Sequence, residues 1–280
     1  MIHSPRSISD AVQVLQVDPD AQILSGGTDF MVEVNFGHRA PKSILSLRSI
    51  KELRAWTQQD GMIRIGSALP YAQMETGALA KLLPALAQAA RTVGSPQIRA
   101  AGTLGGNLGT SSPAGDSLPV LYALDATIII ATSTGERRVA VKDFMVGPKR
   151  NSLAKGEIIT AVELPAITGH QGYSKVGVRN AMVISIASAC LVHDPLERSV
   201  RVAMGTVGPT IIRASETEQW LAAECDLSSA SNITQAICTE FGRRCGEESR
   251  PITDHRSTAE YRRHAVSVIT SRLLERCAAS

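Results

Sequence analysis

The chain has 280 residues, 44% of them hydrophobic and 20% charged, with a formal net charge of +3. This is the profile of a globular protein with room for two or three compact units. The small net charge excludes an electrostatic grip on nucleic acid as the main task, and an aromatic content of 4% leaves no platform for base stacking. No run approaches the roughly 20 apolar residues of a membrane span, and the start lacks the apolar core of a signal peptide, so a cytoplasmic protein is expected. Cys190, Cys225, Cys238, Cys245 and Cys277 are scattered without metal-ligand spacing, which predicts free thiols and no metal or iron–sulfur site in this chain.

In chain order, 8–15 reads as a short helix capped by Ser7 or Ser9, with Ile8, Val12 and Leu15 at helical spacing. A strand then leads into Ser25-Gly26-Gly27-Thr28-Asp29. The apolar run 30–34 suits either a helical turn or a strand. Residues 43–47 alternate as a strand, 50–56 as a short helix and 62–68 as a strand. Residues 70–93 are apolar at helical spacing, broken by Gly77 and Pro84 into at least two pieces.

Residues 99–116 follow, with Gly102, Gly105, Gly106, Gly109 and Gly115 set among Thr103, Thr110, Ser111 and Ser112. Glycine costs backbone entropy, so such density implies positive φ or close approach by a ligand, and the segment reads as a ligand-cradling loop. Two glycine-and-hydroxyl turns suit an anionic, hydroxylated ligand held by backbone N–H groups. Asp116 stands where it either caps the helix 117–124 or touches the ligand. Residues 126–131 and 137–141 read as a hairpin around Ser133-Thr134-Gly135, and 157–164 as a strand. A linker at 165–172 precedes three strands (173–178, 184–192, 200–207) and helices near 215–224, 228–245 and 257–277, which suggests a separate α+β domain.

Leu-Ser-Gly-Gly-Thr-Asp (24–29), Thr-Leu-Gly-Gly-Asn (103–107), Ser-Pro-Ala-Gly-Asp-Ser (112–117) and Glu-Ile-Ile (157–159) recur in order with Lys175, Arg179 and the closing segments 254–256 and 259–262. In this the chain resembles the FAD-binding medium subunits of the molybdenum hydroxylases, the group of bacterial xanthine dehydrogenase and carbon monoxide dehydrogenase. The resemblance implies an α+β protein with a two-part FAD-binding region, an α+β unit (1–57) followed by an α/β unit (58–167). A C-terminal three-stranded antiparallel sheet with helices (168–280) would complete it.

Carried over by residue, it places FAD against Ile23, Leu24, Ser25, Gly26, Gly27, Thr28 and Asp29 and against Thr103, Leu104, Gly105, Gly106 and Asn107. Thr110, Ser112 and Asp116 would lie toward the ribityl chain, Ile159 beside the flavin and Lys175 near it. No catalytic acid or base and no metal ligand is expected in the chain. The implied partners are a molybdenum-cofactor large subunit and a small subunit with two [2Fe-2S] clusters, assembled as a dimer of heterotrimers. Electrons would pass from the clusters through FAD to a terminal acceptor, with xanthine or another N-heterocycle as the holoenzyme's substrate. The segment 180–184 (Asn-Ala-Met-Val-Ile) lacks the acidic residue that relatives often carry there, which puts NAD as acceptor in doubt. A self-contained flavin oxidase or reductase, or a non-redox nucleotide-binding module, are the alternatives that the residues alone leave open.

Overall fold

Ser7 accepts a hydrogen bond from the Asp10 amide and so caps the helix Ile8–Val17 in the computed structural model, which describes residues 1–280. Ala11, Val12 and Leu15 fall on one helical face and are buried in a cluster with Leu45, Leu47, Ile50 and Leu53. Strands Ile2–His3, Ile44–Ser46 and Gln22–Leu24 form a parallel sheet with Ile44–Ser46 in the middle. Ligand-holding loops of parallel sheets leave from the carboxyl ends of strands, and the first glycine turn leaves from the end of Gln22–Leu24. The run 30–34 is helical, within Phe30–Asn35.

An antiparallel sheet follows in the order Trp56–Gln59, Met62–Gly66, Ile158–Pro165, Thr127–Thr132, Gly135–Ala140. The helix expected over 50–56 is shorter, a 3-10 turn at Lys51–Arg54, because Trp56–Gln59 is drawn into this sheet. The turn that pairs it with Met62–Gly66 is Asp60-Gly61, both at positive φ, as a tight hairpin demands. Ile158–Pro165 holds the centre with a register shift between Ile159 and Ala161.

Contacts divide the chain into two units. One comprises Met1–Gln73, Pro96–Ser111 and Asp125–Pro165, which holds both sheets described so far; the other comprises Met74–Ser95, Ser112–Leu124 and Ala166–Ser280. In the second unit, Gln171–Val176, Ala187–Asp194 and Ser199–Gly205 are the three expected antiparallel strands, and a two-residue strand, Ile212–Arg213, extends them to four. All eight residues of Ala187–Asp194 are buried, which requires cover on both faces. Ala187, Ala189 and Leu191 join a core with Ile269 and Leu273 of the helix Ala259–Ala278. The fully buried helix Leu118–Ala123 also packs on Ala187–Asp194 and Ser199–Gly205. Helix Pro84–Thr92 lies along Gln171–Val176, where the Gln88 side chain accepts the Tyr173 amide at 2.7 Å and closes that sheet edge.

Candidate cofactor site

The stretch 99–116 is not one loop. Thr103 is extended, and its hydroxyl accepts the Gly106 amide at 3.0 Å, starting the helix Leu104–Thr110; Ser111, at φ 49, ends it. A residue-type reading misses this because glycine is a poor helix former, and only the Thr103 cap gives the start away.

The glycines divide by what a side chain would meet. A Cβ on Gly26 would lie 1.9 Å from the Ala101 carbonyl oxygen, and one on Gly105 2.6 Å from the Ser67 Cβ. These two are glycine because backbone packs against backbone there. Gly27 has φ 77 and serves the turn. Gly109 faces open space, and Gly106 meets only the Thr103 hydroxyl, at 3.0 Å. No packing requirement accounts for Gly109, whereas a Cβ on Gly106 would press on the hydroxyl that caps the helix; each glycine costs the helix about 1 kcal/mol relative to alanine.

The two glycine segments are tied together side chain to side chain. Ser25 Oγ lies 2.9 Å from Thr103 Oγ1, and the Thr110 hydroxyl donates to Asp29 at 3.1 Å. Thus Ser25, Gly26, Gly27, Asp29, Thr103, Gly105, Gly106 and Thr110 converge in the first unit. Thr28 lies in the same turn, and Leu104 is buried in the helix. Asn107 bonds through its backbone to Thr103 and Ser111. Ile23 and Leu24 are half-buried in their strand. Ile159, buried on Ile158–Pro165, belongs to a strand that packs on the Leu104–Thr110 helix.

In the second unit Ser112 accepts the Ala114 amide at 3.3 Å. Asp116 does not cap the following helix; Ser117 takes the cap position of Leu118–Ala123, without a side-chain bond. The carboxylate instead accepts from the Tyr173 hydroxyl at 2.9 Å and from the Lys175 ammonium at 2.7 Å. Lys175, a solvated residue by default on a strand, is buried with its partner, each side chain 9% exposed. Its remaining donors go to the carbonyls of Thr92 at 2.9 Å and Val183 at 3.2 Å, so all three ammonium hydrogens have acceptors. Burial pushes the Asp116 carboxyl up, against the pull of Lys175 and its hydrogen-bond donors. Burial and the neighbouring carboxylate push the Tyr173 phenol well above its ordinary value and keep it a donor.

Tyr173 and Thr92 did not stand out in the sequence. Tyr173 had a signal: two residues before Lys175 on a strand, it shares that lysine's face. Thr92, brought in from the end of a helix, had none.

A family model for the FAD binding domain in molybdopterin dehydrogenase matches residues 1–167, and one for the C-terminal domain of the CO dehydrogenase flavoprotein matches residues 173–277. The chain belongs to this flavoprotein family. It is 30% identical to the xanthine dehydrogenase FAD-binding subunit of Escherichia coli O157:H7, an alignment covering 99% of this chain and 96% of that one. The glyceraldehyde dehydrogenase medium chain of Sulfolobus acidocaldarius is 28% identical over 97% of this chain and 96% of its own length. Among solved structures, quinoline 2-oxidoreductase from Pseudomonas putida 86 superposes with a TM-score of 0.91 at 25% identity, covering 99% of this chain and 96% of the matched one.

Membership makes the protein a flavoprotein component of an oxidoreductase. The residues present fit FAD: the second glycine segment leaves open backbone at Gly109, and Asp29, the carboxylate in the first, is turned onto Thr110. The names of the relatives span a purine, an aldehyde and a heteroaromatic ring, so the family sets the cofactor and leaves the substrate open.

Proposed function

We propose that the chain is the FAD-carrying electron-transfer subunit of a molybdenum hydroxylase of the xanthine dehydrogenase type. The observation that carries this reading is the tie between the two glycine segments, Ser25 to Thr103 and Asp29 to Thr110, with Gly109 facing open space in a helix that glycine weakens, within a chain matched over its length by flavin subunits. Residues 23–29 and 103–107 would hold FAD, with Thr110, Ser112 and Asp116 toward the ribityl chain and Ile159 and Lys175 beside the ring. On this reading 1–57 and 58–167 supply the cofactor-binding segments, and 168–280 supplies the sheet that carries Lys175.

When bound, FAD supplies the redox chemistry; the protein's share is to hold and tune it. The chain's own residues act as a scaffold. Thr103 fixes the start of the Leu104–Thr110 helix, the Ser25 and Thr103 hydroxyls hold the two segments at a set distance, and Asp116 is held by Lys175 and Tyr173. Lys175 is itself held in place by three acceptors, Asp116 and the carbonyls of Thr92 and Val183.

Electrons would come from two [2Fe-2S] clusters in a small subunit, fed by a molybdenum-cofactor large subunit that oxidises a purine or other N-heterocycle, in a cytoplasmic dimer of heterotrimers. Medium chains among the relatives support this division of labour. Affinity purification of the chain from its source cells tests it. Two co-purifying polypeptides carrying molybdenum and iron are expected. Substrate-dependent flavin reduction by this chain alone, with no molybdenum present, would contradict it.

A further inference from the structure

We propose that Arg48 and Arg54 turn the pocket beside the first glycine segment into an anion subsite for the diphosphate of FAD, and so set this chain's preference for FAD over riboflavin. The inference rests on the FAD reading above and adds two residues that neither the glycine motifs nor their resemblance included.

The pocket lies wholly in the first unit and is lined in part by Ser25, Gly26, Ala101, Thr103, Arg48 and Arg54. It measures about 190 Å³. Sites that enclose a whole drug-sized ligand start near roughly 300 Å³, so this one takes a fragment of a dinucleotide and not all of it. Its place in the fold suits a phosphate. Ser25 and Gly26 leave the carboxyl end of Gln22–Leu24, and Arg48 lies just beyond the end of the adjacent parallel strand Ile44–Ser46. Arg54 ends the 3-10 turn Lys51–Arg54 that follows. The crevice outside the carboxyl ends of neighbouring parallel strands is where α/β sheets bind their ligands.

The charges point the same way. In the same unit Arg39 is paired with Glu33, Arg64 and Arg138 with Glu163, and Arg137 with Glu157. Arg48 and Arg54 have no carboxylate within ion-pair distance. Glu52, the acidic residue on the intervening turn, accepts the Ile8 amide instead. No carboxylate lines the pocket. Two exposed arginines without a carboxylate partner, lining a cavity that has no acidic wall, match the paired phosphates of a dinucleotide, which a guanidinium fork engages through parallel N–H bonds. The Ser25–Thr103 contact keeps that wall in place.

The test is titration of the full-length apoprotein with FAD, riboflavin and ADP at low and high salt, for wild type and for Arg48→Gln/Arg54→Gln, with circular dichroism as the check on folding. The double variant is expected to bind FAD and ADP at least tenfold more weakly, to lose most of the salt dependence of FAD binding, and to bind riboflavin as wild type does. Arg48→Lys/Arg54→Lys is expected to recover part of the FAD affinity. Unchanged FAD affinity in the folded Gln variant overturns the subsite, as does an equal loss of riboflavin and FAD. Wild type that binds ADP but no flavin would leave the subsite standing and remove the FAD reading, whereas wild type that binds neither removes both.

Discussion

Asp116 and Lys175 are close, buried and dependent on each other. Removing one charge leaves the other unpaired in a low-dielectric site, which costs about 3–5 kcal/mol, while removing both returns much of that cost. Lys175→Met is therefore expected to lower the urea midpoint sharply, and Asp116→Asn in the same chain to restore part of it. Additive losses in the double variant would show that the pair is not coupled. The resemblance put both residues near the ligand, yet their contact with each other was not legible. A strand lysine and a carboxylate before a helix carry no local mark of pairing, since 59 positions separate them. For Gly106 the conformation was not legible: the residue was read as loop and lies in a helix. Gly106→Val is expected to leave the fold in place and to lower flavin content, read as flavin absorbance per folded chain, because its Cβ meets only the Thr103 hydroxyl. Gly105→Val drives into Ser67 and is expected to cost stability first, by about 1–3 kcal/mol, the usual cost of overpacking.

At the scale of elements, the helices and strands with strong periodicity were readable from sequence, among them Ile8–Val17, Ile158–Pro165 and the three long strands of the second unit. Trp56–Gln59 was not, although its Asp60-Gly61 turn is a hairpin signal, because the apolar residues before it suggested a helix. The closing segment shows how one side chain joins several elements. Arg262, almost wholly buried, donates to the carbonyls of Ile186 at 2.8 Å and Thr206 at 3.2 Å and to Asp254 at 2.7 Å. Burial opposes the Asp254 carboxylate, but the amides of Arg256 and Ser257 and the Arg262 guanidinium outweigh it and hold its pKa down to about 2. A carboxyl depressed in the folded state stabilises above its ordinary value of 3.8 and loses that contribution as pH falls toward about 2. Urea unfolding between those two pH values is expected to show a shallower loss of stability in Asp254→Asn than in wild type. An identical slope in both would remove Asp254 from the account.

For the whole molecule, the chain order and the packing order differ. Met74–Ser95 and Ser112–Leu124 group with the C-terminal residues, although they lie inside the stretch matched by the FAD-binding family model. Composition suggested a linker over 165–172 but gave no sign that helices from before it cover the later sheet, since burial on a second face leaves no period in the helix that supplies it. A fragment 168–280 lacks Pro84–Thr92 and Leu118–Ala123, so it is expected to unfold without the cooperative transition of the full chain; a wild-type melting temperature for the fragment would contradict this. The claim on which the rest depends is that this chain itself holds FAD. Its most direct test is the flavin content of the purified full-length chain after reconstitution with FAD and removal of excess cofactor. A stoichiometric, dithionite-bleachable flavin spectrum whose extracted cofactor is FAD is the predicted result, and a folded chain that stays colourless and retains no FAD would contradict the account.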